Sequence, residues 1–208
     1  MGRCIVGRMT YAWINGGGRA AFVRTAWVVL FAATASVATA QTATAQGAIS
    51  GDSVIPPAVA GDVRSMDAII HAAYDVISGP AGPRDWNRFN SLFAPGARLI
   101  RTQRDSGGAT HLQPMSAHEF ADRAGQYFMH SPFYEREIGR EVNTFGAVTQ
   151  AFSAYASRHA PGDAKPFARG INSFQLFNDG TRWYIVTIYW DDEHPGTTIP
   201  DRYLHVAP

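Results

Sequence analysis

Residues 167–192 read FARGINSFQLFNDGTRWYIVTIYWDD. Two runs rich in β-branched and aromatic residues flank Asn178-Asp179-Gly180, a pattern that predicts a hairpin with strands over Phe167–Asn178 and Arg182–Asp191. Upstream, Phe133–Asn143 and Ala147–His159 have the same character and are joined by the tight link Thr144-Phe145-Gly146. The connection from His159 to Pro166 holds two prolines and a glycine and is looser. Four long consecutive strands therefore end the chain.

The preceding segment reads as helices. Met66, Ile69, Ile70, Ala73, Tyr74 and Ile77 recur at three- and four-residue spacing, with Ser65 as N-cap and Gly79-Pro80 as a stop. A short helix is expected over Asp85–Leu92, ended by Pro95-Gly96. Ala97–Gln103 alternates as a strand, with Ala97, Leu99 and Arg101 on one face. Asp105-Ser106-Gly107-Gly108 is a turn, and Thr110–Gln113 a short return strand. Ser116-Ala117-His118-Glu119 is a capping box opening a third helix to about Phe128 or His130. Helices first and strands later predict an α+β fold. The expected form is a cone-shaped, curved antiparallel sheet packed against three N-terminal helices, with a cavity between the layers.

The N-terminal residues predict export. Arg19 and Arg24 precede the apolar stretch Ala26–Ala33, and Ala38-Thr39-Ala40 before Gln41 fits the small-x-small rule for a signal peptide over residues 1–40. Ala43-Thr44-Ala45 is a second cleavage option, and Met9 an alternative start. The apolar run is shorter than the ~20 residues a membrane span requires, so no stable anchor is expected after cleavage. Residues 41–62 read as a flexible lead-in and 63–208 as the domain. The expected location is the periplasm or beyond. Cys4, the one cysteine of the 208 residues, lies in the leader, which leaves no thiol for a disulfide or metal site. The formal charge of +1 comes from a leader with no acidic residue before Asp52. The body is slightly acidic, so a nucleic-acid surface is not indicated. No phosphate loop, dinucleotide fingerprint or nucleophile elbow is present, and no cofactor or metal is expected.

Several stretches together carry a family resemblance. Tyr74-Asp75-Val76-Ile77, the run Trp86–Ala97, Gly146–Tyr155, Arg169–Leu176 and Trp183–Trp190 resemble, in order and spacing, the nuclear-transport-factor-2-like (NTF2-like) superfamily, which includes SnoaL-like and ketosteroid-isomerase-like proteins. The resemblance covers roughly residues 63–192. It implies the α+β fold and leaves the function open, because the superfamily hosts isomerases, cyclases, hydrolases, dehydratases and binding modules. Against the ketosteroid isomerase branch, its helix-borne Tyr matches Tyr74 and its general-base Asp falls at Arg101. Its protonated Asp falls at or beside Asn172. A guanidinium cannot abstract a carbon-bound proton, so the isomerase base is missing from that position.

Read as chemistry, Tyr74, Arg101 and Asn172 are all donors. A donor-lined apolar pocket suits a small organic acid or carbonyl compound, with Arg101 able to grip a carboxylate bidentately. The alternative is structural: a packed tyrosine, an Arg101–Glu141 bridge and an asparagine bonded to backbone. Glu141, Tyr155 and His118 are further candidates for the pocket. No histidine pair has metal-ligand spacing, and catalytic residues are not identified. Asp191-Asp192-Glu193-His194 reads as a solvated strand end, and Phe133–Glu141 as a strand with a charged outer face. Two roles remain: a small-molecule pocket with lyase, isomerase or hydrolase activity, or a non-catalytic module that forms a homodimer through the sheet face. Phe174, Trp183, Tyr184, Tyr189 and Trp190 are shared between the two sides of that sheet.

Overall fold

The Asn178-Asp179-Gly180 link closes a hairpin through its own side chains. Asn178 Oδ1 accepts the Gly180 N–H at 2.7 Å, and Asp179 Oδ1 accepts those of Thr181 and Arg182 at 2.7 and 2.9 Å. Gly180 takes φ +93°, a left-handed conformation that glycine adopts without steric cost. The computed structural model describes residues 55–205. The expected leader over residues 1–40 and most of the lead-in lie outside the described residues.

The elements in chain order are α1 Ala60–Val63, α2 Met66–Ile77, α3 Trp86–Ser91, β1 Phe93–Arg104, β2 Thr110–Met115, α4 Ala117–His130, β3 Tyr134–Phe145, β4 Val148–Arg158, β5 Ala168–Asn178 and β6 Trp183–Asp192, then a 3-10 turn at Asp201–Tyr203. Local chemistry sets the helix starts. Ser65 Oγ accepts the Ala68 N–H at 3.1 Å, Asp85 caps Arg88 at 2.9 Å, and Ser116 and Glu119 form the reciprocal capping box at 3.1 and 2.7 Å.

Three expectations need correcting. The domain begins earlier than Val63: α1 is fixed because Arg88 Nε donates to Asp62 at 2.7 Å and Val63 joins the core. The helices are not all N-terminal, since α4 follows two strands. Nor is the sheet wholly antiparallel. Its order is β2-β1-β6-β5-β4-β3, and β1 runs parallel to β6. Those two strands are not joined by a hairpin, so no short loop forces them antiparallel.

α2 and α3 pack on one sheet face. Ile69, Ile70, Leu92, Phe93, Leu176 and Ile185 are each 2% exposed or less and form the dense part of the core. The opposite face of β3 and β4 is partly covered by the chain's own C-terminal segment. Tyr203 packs on Phe152 with ring centroids 5.4 Å apart, and Arg140 N–H donates to the His205 carbonyl at 3.1 Å. Gly139 is required there, because a Cβ would lie 2.5 Å from backbone atoms of Tyr203 and Leu204.

Candidate active site

A cavity of about 430 Å³ lies between the sheet and the helices. Phe89, Phe120, Tyr127 and Phe128 close it from the helical side. Phe133, Phe167, Phe174, Ile188 and Trp190 supply apolar wall from the strands and their approaches. Polar groups come mostly from the sheet: Arg101 on β1, Gln113 on β2, Glu135 on β3, Tyr155 and Ser157 on β4, Asn172 on β5 and Asp192 on β6, with Arg123 added from α4. Tyr74 reaches in from α2.

Glu135 is the residue that sequence reasoning misplaced. The stretch Phe133–Glu141 was expected to present its charges outward, yet Glu135 lines the cavity. Strand alternation puts Phe133, Glu135 and Glu137 on one face. Phe133 packs on Phe128 at 5.1 Å, which makes that face the inner one. An aromatic residue two positions before the glutamate was the signal available in the sequence. The register then shifts between Glu137 and Gly139, where β3 carries a bulge. Beyond it Arg140 and Val142 turn inward. Glu141 therefore leaves the pocket face and lies on the surface, 3.8 Å from Arg202.

The Glu135 carboxyl is half-buried, and its open side faces the cavity. Burial pushes it up to about 7, with the Asp192 charge acting in the same direction. Hydrogen bonds from Ser157, at 2.6 Å, and from Asn172 pull the other way without cancelling that effect. A carboxyl poised near neutrality in an apolar cavity can donate a proton or accept one, which is what general acid–base chemistry requires.

Tyr74 and Asn172 are brought together. Asn172 Nδ2 donates to the Tyr74 hydroxyl at 3.1 Å. Ser153 Oγ lies 2.6 Å from the same hydroxyl and donates its one proton to Glu137 Oε1 at 2.6 Å. Tyr74 must then donate to Ser153, so its proton points away from the cavity. Burial pushes the Tyr74 phenol far above its ordinary range. Tyr155 lines the cavity and donates to Asp192 Oδ1. Burial, followed by the Asp192 charge, pushes Tyr155 strongly up as well. Gly170 makes room for this ring, since a Cβ there would lie 2.5 Å from the Tyr155 hydroxyl.

Arg101 stands on the cavity wall with a side chain 48% exposed, and Asp192, rather than Glu141, is its partner at 3.5 Å. The wall is thus not lined by donors alone: two carboxylates share it. The acidic cluster at the end of β6 is dispersed. Asp192 turns inward, Asp191 accepts from Thr102 at 2.6 Å, and Glu193 faces Arg169 at 3.4 Å. His118 lies outside the cavity. Its side chain is 70% exposed and 3.8 Å from Asp122, because the first turn of α4 faces solvent. Among the described residues no group of three metal-ligating side chains converges.

No family model matches the chain, and no curated protein does. Solved structures do. The chain is similar to solved NTF2-like proteins. An NTF2-like protein of unknown function from Shewanella baltica is 15% identical, with 62% of this chain and 98% of that one covered and a TM-score of 0.41. An uncharacterised protein with a cystatin-like fold from Caulobacter vibrioides is 11% identical, covers 64% and 89%, and has a TM-score of 0.46. A CaMKII hub from S. rosetta is 14% identical, covers 61% and 90%, and has a TM-score of 0.38.

Proposed function

We propose that this chain is an exported protein whose sheet curls into a cone around a pocket for a small carbonyl compound with an apolar body, and that Glu135 performs acid–base chemistry on it. The observation that carries the reading is a near-neutral carboxyl in a cavity walled mainly by aromatic and aliphatic side chains. Protonated Glu135 donates to a carbonyl oxygen. Ionised Glu135 accepts a proton from the adjacent carbon. Together these steps suit an isomerase or lyase acting next to a carbonyl. Arg101 and Arg123 border the same cavity and suit a carboxylate on the other end of such a ligand.

The test is calorimetric titration of the mature protein at pH 6 with acetophenone, 4-acetylbenzoate and ethylbenzene. Both carbonyl compounds are expected to bind, and ethylbenzene, of similar shape without the oxygen, to bind at least several-fold more weakly. In Glu135→Gln the carbonyl preference should persist while its pH dependence shrinks. Equal binding of all three compounds, or none, would overturn the reading.

A second reading rests on a different surface. Phe145 and Val148 at the β3–β4 tip are 89% and 64% exposed, and Phe177, Val186 and Tyr189 are each about two-fifths exposed. This apolar patch suits a homodimer of the sheet face. Phe174 and Trp190 of the expected aromatic set face the cavity instead. Sedimentation of the mature protein distinguishes monomer from dimer.

A further inference from the structure

The cavity's donor–acceptor character is wired to a carboxylate outside it. Asn172 Nδ2, the Tyr74 hydroxyl, Ser153 Oγ and Glu137 Oε1 form one chain with steps of 3.1, 2.6 and 2.6 Å. Tyr74 and Ser153 are buried, and Glu137 is 25% exposed at the solvent end. A hydroxyl has one proton and two lone pairs. With Glu137 ionised, Ser153 donates to it, Tyr74 donates to Ser153, and Tyr74 accepts from Asn172. The group Tyr74 then offers the cavity is its remaining lone pair, an acceptor. With Glu137 protonated, the carboxyl donates to Ser153, Ser153 donates to Tyr74, and the Tyr74 O–H is released toward the cavity. In the first state every hydroxyl proton has an acceptor within the chain; in the second the Tyr74 O–H has none there, and its acceptor comes from the cavity.

We propose that Glu137, acting through Ser153, is a positioning residue that sets whether Tyr74 presents a hydrogen-bond acceptor or a donor to the cavity. Reversal leaves the Tyr74 O–H without an acceptor unless a molecule in the cavity supplies one, so an acceptor ligand there favours the reversed chain, and linked hydroxyls polarise one another. The groups facing Glu137 are Arg140 on its own strand, 3.8 Å away, Ser153 on β4, and Asp67 and His71 on α2. Burial raises Glu137, Asp67 adds to the rise, and Arg140 and His71 oppose it. Arg140 is held by Asp67 and does not close on Glu137 tightly. The proposal deepens the carbonyl reading: acceptor ligands fit the state in which Glu137 is protonated.

One readout needs no ligand. The ring-mode signature of Tyr74 in ultraviolet resonance Raman, identified by difference against Tyr74→Phe, distinguishes a phenol that donates within the protein from one that does not. It should change as pH is lowered from 9 to 5 in the wild type. In Glu137→Gln the amide can donate to or accept from Ser153 but does not titrate, so the signature should be the same at pH 9 and pH 5. Ser153→Ala, which removes the relay and retains both ends, should abolish the pH change as well. A signature that titrates unchanged in both variants would overturn the proposal. The second readout is acetophenone affinity at pH 8.5, where Glu137→Gln is expected to bind about fivefold more tightly, the worth of one neutral hydrogen bond. Failure of acetophenone to bind any form would sink the carbonyl reading while leaving the Raman result to decide the relay.

Discussion

The same two layers, helices against sheet, meet at one end of the domain and stand apart at the other. Where α2 and α3 cross β5 and β6, Ile69, Ile70, Leu92, Phe93, Leu176 and Ile185 fill the space and almost no surface is left. Around Glu135 and Asp192 the sheet positions carry Ser157, Tyr155 and Asn172, while the helical side supplies large aromatic rings, and a cavity persists. Aliphatic side chains interdigitate and close the layers. Polar groups bonded among themselves, as in the Ser157–Glu135 and Tyr155–Asp192 pairs, stay at the wall and cannot follow. The closed end supports the fold, and the open end is available for chemistry.

Substitutions can break this contrast from either side. The largest effect belongs at the closed end: Ile70→Ala or Ile185→Ala should cost about 2–5 kcal/mol in urea unfolding, the cost of a fresh core cavity. Gly170→Ala sits at the boundary, where a Cβ would meet the Asp191 carbonyl at 2.2 Å and the Tyr155 hydroxyl at 2.5 Å. It should cost about 1–3 kcal/mol as an overpacking change and should weaken acetophenone binding by displacing Tyr155. Glu135→Gln should have the opposite sign. The folded-state carboxyl is raised above its unfolded value, so wild-type stability should fall as pH rises from about 4.5 to 7. Glutamine escapes that loss, and the variant should exceed wild type above pH 7 by on the order of 1–3 kcal/mol, read by urea midpoints across pH. The smallest effect belongs to Phe145→Ser at the exposed hairpin tip, within about 0.5 kcal/mol.

The closed end was legible in the sequence because its signals are local and periodic. The three- and four-residue spacing from Met66 to Ile77, the capping box at Ser116 and the turn at Asn178 each act within a few residues, and the four final strands follow from them. The open end was legible only in part. Tyr74, Arg101, Tyr155 and Asn172 were placed at the cavity by alternation and resemblance, and all four line it. Glu141 failed because the bulge before Gly139 shifts alternation by one residue, and no local signal distinguishes that glycine from a turn glycine. Its cause lies 65 residues later, where Leu204 occupies the space of a Cβ. Glu135 was missed because charge was read as exposure. The parallel β1–β6 pairing depends on contacts between strands about 90 residues apart, beyond any local pattern.

The decisive measurement is the titration of the Glu135 side-chain carboxyl by carbon-13 NMR, assigned by loss of its resonance in Glu135→Gln. A group in an apolar cavity should titrate near 7. A midpoint near the ordinary ~4.3 of a solvated glutamate would mean that Glu135 faces water, and the cavity would then hold no acid–base group at that wall.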